Sequence, residues 1–154
     1  MKRYFALLAA VLLIFAPGCA KRSPVLSLSS AAAADQVISS VKFKDQMSPV
    51  DQAMALQLYG LDCSIVTAGK VYESTGATAE EVAVFETKDA AAMDKVKQAV
   101  QKRIEVQREG FQDYQPREME KLKNPLVVTA GNCVILCVSD DNAAARKAID
   151  GMMK

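Results

Sequence analysis

The feature that most constrains the fold is a long segment, residues 88–111, with the periodicity of an amphipathic helix. One face of the segment repeats at three- and four-residue spacing, as a helix of about 3.6 residues per turn requires. Such a helix is stable only when that face is buried, so the rest of the chain must provide a layer for it. The positions on this face are Met93, Val96, Val100, Ile104, Gln107 and Phe111.

Two predicted β-hairpins flank the helix and supply that layer. The first joins strands over 64–74 and 80–87, which contain several β-branched and aromatic residues and are separated by a Gly-containing turn. The second joins 126–129 to 133–138 through Gly131 and Asn132, a pair that suits a tight II′-type turn.

Shorter helices are predicted on either side of these elements. Residues 31–43 are rich in Ala and follow Ser30, a suitable N-cap, while residues 48–60 begin with a capping Ser and a Pro in the first turn. Residues 139–141 are predicted to cap a last helix near the C-terminus.

This order of elements indicates the α+β class. We expect a mainly antiparallel sheet of two hairpins, about four strands, with the long amphipathic helix and the C-terminal helix packed on one face. A chain of 154 residues has room for one domain, which we assign to residues 31–154.

The amino terminus has the pattern of a signal peptide over residues 1–18. Lys2 and Arg3 precede an apolar stretch that is too short to span a bilayer comfortably, and small residues lead to Gly18 and Cys19. A Cys at this position resembles the lipobox of bacterial lipoproteins. We therefore predict lipidation of Cys19, a flexible tether over 19–30 and a location at the outer face of the cytoplasmic membrane, with ordinary secretion as the alternative.

Composition excludes one class of partner and weakens the case for others. The chain has 19 Lys and Arg against 18 Asp and Glu with no basic block, so we expect no nucleic-acid partner. It has no His, the commonest general base and metal ligand, and we predict no cofactor and no metal site.

A polar and aromatic stripe on the long helix is the main candidate site. Arg103, Gln107, Phe111 and Tyr114 share one helical face. As a binding edge, they would offer a guanidinium fork to a carboxylate or phosphate. As a structural motif, which we favour, the two rings pack the helix end while Arg103 and Gln107 satisfy sheet carbonyls or pair with Glu80 or Glu81.

Neighbouring carboxylates are weaker candidates for acid–base chemistry. Glu80 and Glu81 are adjacent on a predicted strand, where successive side chains point to opposite faces and do not converge. Asp140 and Asp141 lie where a helix cap is expected, which explains them without catalysis.

Three cysteines remain after Cys19. Cys133 and Cys137 lie too far apart along one strand to bridge each other. Cys63 is a candidate disulfide partner for Cys133 or Cys137. The alternative, which we favour, is that Cys133 and Cys137 are small buried hydrophobic residues.

Between residues 76 and 138 the sequence also resembles a family of small Gram-positive lipoproteins, domain of unknown function 4358. The resemblance implies export, lipidation and this layout of elements, and it brings no activity or catalytic residue. It rests on residues 79–85, then on Arg103, Gln107, Phe111, Tyr114, Pro116 and Glu118, and finally on Gly131-Asn132 before an apolar strand.

The sequence favours a non-catalytic binding or interaction domain of the cell envelope. Its expected partners are the membrane, through the lipid anchor, and an envelope protein or small ligand. The alternatives are a surface hydrolase or thiol redox enzyme, and a small accessory subunit of a transporter.

Overall fold

The computed structural model of the protein describes residues 24–154. The predicted signal peptide and Cys19 lie outside the described residues. The elements run along the chain as α1 (Ser30–Ser40), β1 (Ser48–Val50), α2 (Gln52–Tyr59), β2 (Val66–Glu73), β3 (Glu81–Thr87), α3 (Ala90–Tyr114), a 3-10 turn (Pro116–Glu118), α4 (Met119–Lys123), β4 (Leu126–Ala130), β5 (Cys133–Val138) and α5 (Asn142–Gly151).

Within these residues, five strands form one antiparallel sheet in the order β1-β2-β3-β5-β4. The α+β class and both predicted hairpins, β2–β3 and β4–β5, are confirmed. The turn between β4 and β5 places Gly131 at a φ of 58°, a conformation that Gly adopts without the steric strain of a Cβ. The strand that sequence reasoning missed is β1, a three-residue edge strand.

Helices cover both faces of the sheet, which corrects the expectation of helices on one face. The α3 face, represented by Ala83, Phe85 and Leu136, packs against α2, α3 and α4. The α1 face, represented by Val82 and Ile135, packs against α1 and α5. Because β5 is buried along its whole length, both of its sides need a covering layer, and α5 therefore lies opposite α3.

The predicted long helix is confirmed as α3. It begins after Asp89, whose side chain accepts a hydrogen bond from the Ala92 N–H, and it continues for 25 residues. The buried residues of α3 fall on the predicted face, because the same periodicity that identifies the helix also directs that face to the core. They are Ala92, Val96, Val100, Ile104 and Gln107.

The two predicted N-terminal helices are present with different starts. Ser29 rather than Ser30 caps α1, which ends at Ser40. Residues 48–50 do not open α2 but pair with β2, and Asp51 caps α2 by accepting from the Ala53 N–H. Pro49 therefore lies in β1 and not in the first turn of α2. Its fixed φ is compatible with both positions, so the sequence around it does not decide between them.

The strand register defines two ends of the domain. At the Glu81 end, Glu81 pairs with Glu73 on one side and Val138 on the other. At the Gly131 end, Thr87 pairs with Val66, next to the β4–β5 turn. The length of β3 separates the two ends by about 20 Å, at about 3.3 Å per residue.

The described part of the predicted tether is attached to the domain. Val25 exchanges backbone hydrogen bonds with Lys154, and the Ser27 N–H donates to the Met152 carbonyl at 2.8 Å. The Val25 side chain also covers Gly131, where an added Cβ would lie 3.0 Å from Val25 Cγ1. The chain therefore enters the domain at the Gly131 end.

Candidate functional site

A fully buried carboxylate, Glu81, stands at the start of β3 on the α3 face. Arg103 donates to it from Nε at 3.0 Å and from Nη2 at 2.7 Å. The Tyr59 hydroxyl and the Gln107 amide N–H also donate to Glu81. This arrangement joins α2 and α3 to the sheet through one charged group, and every donor comes from a side chain.

Arg103 connects Glu81 to a second carboxylate, Glu73 on β2. Its Nη2 lies 2.5 Å from Glu73 Oε1, and the Arg103 side chain is only 14% exposed. The guanidinium fork is thus engaged by two residues of the protein. We call Glu81, Tyr59, Arg103, Gln107 and Glu73 the Glu81 cluster.

The environment of the Glu81 cluster raises three pKa values, including that of Arg103, for which burial acts to lower the pKa but the charge of Glu81 and its hydrogen bond act to raise it. Burial raises the pKa of Glu73, the charge of Glu81 raises it further, and Arg103 opposes both. Burial, followed by the charge of Glu81, raises the pKa of the Tyr59 phenol well above its ordinary value. Tyr59 is therefore a hydrogen-bond donor at neutral pH, and the surroundings of Glu73 as a whole disfavour its ionised form.

The four residues of the predicted stripe divide into two groups. Arg103 and Gln107 meet at Glu81, which is one of the partners that the structural interpretation names. Phe111 and Tyr114 pack against each other with ring centroids 6.2 Å apart, and Tyr114 is exposed. The stripe is therefore continuous along the helix but is used in two separate ways.

An open cleft of about 390 Å³ lies beside the Glu81 cluster, between the β2–β3 loop and α3. Gln107 lines it and is 8% exposed, and its Oε1 has no hydrogen-bond partner among the described residues. We call this space the polar cleft. Lining residues that bear on its chemistry are Glu73, Ser74, Thr75, Thr78, Gln107 and Phe111.

A second buried ionic group, which sequence reasoning missed, surrounds Lys121 on α4. Lys121 Nζ lies 2.8 Å from Glu118, 3.2 Å from Glu80 and 3.7 Å from Asp140. Asp140 is also paired with Lys44 at 2.5 Å. We call these five residues the Lys121 cluster.

Hydrogen bonds and charges control the ionisation of Lys121. Burial alone would lower the pKa of Lys121, but the hydrogen bond to Glu118 and the charge of Glu80 outweigh burial and raise it. In the sequence, the visible sign of this group is that Glu118 and Lys121 are three residues apart in a short helical segment. Such a pair normally lies in solvent. Lys121 is buried here together with tertiary partners from elsewhere in the chain, Glu80 and Asp140.

Adjacent carboxylates therefore belong to different groups. Glu80 accepts from the Lys44 N–H at 2.9 Å and the Asp45 N–H at 3.0 Å, whereas Glu81 faces α3. Asp141 caps α5, as predicted, by accepting from the Ala144 N–H, while Asp140 pairs with lysines. Neither adjacent pair converges on a common point, although Glu80 and Asp140, one from each pair, both contact Lys121.

The three described cysteines are free thiols. Cys63 is exposed, whereas Cys133 and Cys137 are buried, and the structure forms no disulfide from Cys63 to either of them. Cys63 precedes β2, and β3 separates β2 from β5, a spacing of about 9.5 Å that exceeds the reach of a disulfide. Burial raises the pKa of the Cys133 and Cys137 thiols to about 11.

Other surfaces offer less chemistry. An open groove of about 740 Å³ lies between α1 and α5, with several small residues such as Ala144 and Ala148 in its lining. Across residues 24–154, Cys, Asp and Glu nowhere gather in a geometry suited to a metal ion. In the same part of the chain, no helix has both the length and the hydropathy needed to cross a bilayer.

Comparison with known proteins places the chain in a family. No curated protein and no solved structure matches it. A family model, described as a domain of unknown function (DUF4358), matches residues 39–139, which include all five strands and most residues of both ionic clusters. The match covers well over half of the chain, and this protein belongs to that family.

Proposed function

We propose that this protein is a lipid-anchored, extracytoplasmic binding domain. In this proposal Cys19 carries the anchor at the outer face of the cytoplasmic membrane, and the polar cleft is the binding site. The domain positions its ligand and performs no chemistry on it.

The observation that carries the proposal is the placement of the chain entry and the cleft at opposite ends of the sheet. Val25 is bound at the Gly131 end through Lys154 and Gly131. The cleft opens beside Glu73 and Glu81, at the other end of β2 and β3. A domain tethered through residues before Val25 would therefore turn its cleft away from the bilayer.

The length of the linking segment supports the same arrangement. Five residues, 20–24, separate Cys19 from Val25. The six steps from Cys19 to Val25, at about 3.5 Å each, span at most about 21 Å, so the Gly131 end would stay close to the lipid headgroups. A short link restricts how far the domain can tilt and keeps the cleft exposed to the envelope.

The polar groups near the cleft support binding over catalysis. Glu81 and Glu80 each accept several hydrogen bonds from the protein, which leaves neither poised as a general base for a hydrolase. For a thiol enzyme, Cys133 and Cys137 have pKa values of about 11, so both are protonated at neutral pH. A transporter accessory role is compatible with the binding proposal, because such a subunit also binds without catalysis.

Membrane attachment is tested by Cys19→Ser in the full chain. We expect wild-type protein to partition into a detergent phase and the variant to remain in the aqueous phase, because two acyl chains give stable membrane residence. Equal partitioning of the two proteins would contradict the proposal that Cys19 carries a lipid anchor.

Orientation is tested by energy transfer from a fluorophore on the domain to an acceptor in the bilayer. Cys63 lies at the Gly131 end and is exposed. Tyr114→Cys in a Cys63→Ser background places the same fluorophore at the Glu81 end, where Tyr114 is 65% exposed. We expect stronger transfer from Cys63 in the lipidated protein; equal or reversed transfer would overturn the orientation.

A further inference from the structure

We propose that the polar cleft binds a small organic cation through a primary ammonium or guanidinium group. This inference rests on the proposed function, because it needs the cleft to be the binding site. It adds the chemical class of the ligand, which follows from the groups that line the cleft.

The charges around the cleft are negative in balance. Glu73 and Glu81 contribute two carboxylates, and Arg103 is the cation that bridges them. Glu80 also borders the cleft, but Lys121 lies 3.2 Å from it. Because one guanidinium serves two carboxylates, the site retains an excess negative charge that a cation would neutralise.

The hydroxyl groups of the cleft have already donated their hydrogens within the protein. Ser74 Oγ donates to the Thr78 carbonyl at 2.6 Å, and Thr75 Oγ1 donates to Asp45 at 2.5 Å. Thr78 Oγ1 donates to Glu80 at 3.3 Å. Thr75 Oγ1 and Thr78 Oγ1 also accept long hydrogen bonds from the Ala77 and Glu80 N–H groups, both at 3.5 Å. The hydroxyls have only oxygen lone pairs left to offer, so a ligand that pairs with them must be a hydrogen-bond donor.

Gln107 adds an acceptor that the protein leaves unused. Its amide N–H faces the Glu81 carboxylate, so the amide orientation is fixed and Oε1 is turned away from Glu81. Gln107 is 8% exposed and lines the cleft, yet Oε1 lacks a partner within residues 24–154. A buried acceptor without a partner is unfavourable, and a ligand N–H would satisfy it.

Arg103 is the one group at the cleft that would favour an anionic ligand. Its Nε and Nη2 are engaged by Glu81 and Glu73, which leaves the two N–H groups of Nη1 as its remaining donors. These N–H groups belong to a side chain that is 14% exposed, and they have to compete with the unengaged oxygen of Glu73 and with the Gln107 carbonyl. Phe111 lines the same cleft and is half-buried, so the lining also includes an aromatic side chain, a residue type that attracts cations.

The test measures binding of defined probes to the full chain in mild detergent by two-dimensional amide NMR. The cationic probes are butylammonium, guanidinium and arginine amide; acetate, phosphate and butyramide are the anionic and neutral probes. We expect a cation to give saturable shifts at Ser74, Thr78 and Gln107, with acetate and phosphate giving none.

Two matched variants assign the effect to the cleft. Glu73→Gln removes the charge and keeps the shape, and we expect it to weaken cation binding by about tenfold or more, as the loss of a charge-assisted hydrogen bond does. Glu105→Gln removes the same charge from an exposed position of α3 outside the cleft and should leave affinity unchanged.

The outcomes separate this inference from the proposed function. Saturable shifts at the cleft with only anionic or neutral probes would overturn the cationic class while keeping the cleft as a binding site. Equal cation affinity in wild type and Glu73→Gln would also overturn it. The absence of cleft shifts with every probe would overturn both the ligand class and the cleft as the site.

Discussion

Glu80 and Glu81 are neighbours in the chain and are both buried, but their charges are compensated in different ways. Glu81 accepts only from side chains of α2 and α3, among which Arg103 is the cation. Glu80 accepts from two backbone N–H groups and Thr78, and it shares Lys121 with Glu118 and Asp140. The first arrangement depends on one guanidinium, whereas the second is distributed over backbone and side chains.

The difference reflects the two cations. A guanidinium is planar with five donors, so Arg103 can bridge Glu81 and Glu73 in fixed directions. An ammonium is a compact charge that can be shared among several oxygens, as Lys121 is. We therefore expect substitutions in the Glu81 cluster to be the more damaging, and the following variants test that order.

Arg103→Met should have the largest effect. It keeps much of the side-chain volume but leaves Glu81 buried without its cation and next to Glu73. Breaking a buried ion pair from one side is unfavourable by about 3–5 kcal/mol, and urea unfolding would measure this loss. Lys102→Met, at the exposed neighbouring position, is the control and should change stability by less than about 0.5 kcal/mol. Similar losses in the two variants would contradict the assigned role of Arg103.

Lys121→Met should be less destabilising than Arg103→Met. Glu80 keeps its backbone donors, and Glu118 keeps the Ala79 N–H at 2.9 Å. We expect a loss of about 1–3 kcal/mol in the same unfolding assay. Lys123→Met removes an exposed partner of Glu120 and serves as control. A larger loss for Lys121→Met than for Arg103→Met would reverse the comparison.

Tyr59→Phe should remove about 1–2 kcal/mol at neutral pH, because Glu81 loses one of its donors. It should also change the pH dependence. The folded protein holds the Tyr59 proton to a higher pH than the unfolded chain does, so the free energy of unfolding falls as pH rises above about 10. Phe at this position should flatten that fall, as measured by urea unfolding between neutral and alkaline pH.

Tyr72→Phe measures the contribution of a second tyrosine to that alkaline fall. A hydrogen bond to Asp35, followed by burial, raises the pKa of Tyr72 to about 12. The stability linked to Tyr72 is present below about pH 10 and is lost as pH rises toward about 12. An unchanged alkaline profile in Tyr59→Phe would contradict the buried contact between the Tyr59 phenol and Glu81.

Glu73→Gln should have the smallest effect on stability, about 1 kcal/mol or less. Arg103 keeps Glu81, and the Glu73 side chain is 33% exposed, so solvent screens the lost charge. Thermal unfolding would detect the change as a small shift in Tm. A loss as large as that of Arg103→Met would mean that the two carboxylates share the guanidinium equally.

The sequence predicts the elements that local periodicity determines. α3 carries a core stripe over 25 residues, and the second hairpin is marked by Gly131 between two apolar strands. The sequence contains a signal that helices cover both faces of the sheet. β5 is apolar at six consecutive positions, which is typical of a strand buried on both sides. The expectation that helices pack on one face only was wrong for that reason.

The candidate site is less predictable because it depends on contacts far apart in the chain. Spacing placed Arg103 and Gln107 on one face of α3, but their common partner Glu81 was one of several alternatives. Lys121 lies on a short helix whose local pattern does not reveal burial, and its contact with Glu80 spans about 40 residues. The predicted start of α2 was wrong for a related reason. The sequence at Ser48 resembles a helix cap, but Ser48 pairs with β2 instead, and that pairing depends on a distant part of the chain.

The pairing of Val25 with Lys154 also determines how the molecule responds to force. A pull applied at the N-terminal segment first loads the short contact formed by Val25, Ser27 and the last residues of the chain. The central strands β3 and β5 lie between other strands and receive this load only after that contact has opened. The contact of Val25 and Ser27 with the C-terminus is therefore the part of the domain that such a pull opens first, before the sheet that borders the cleft.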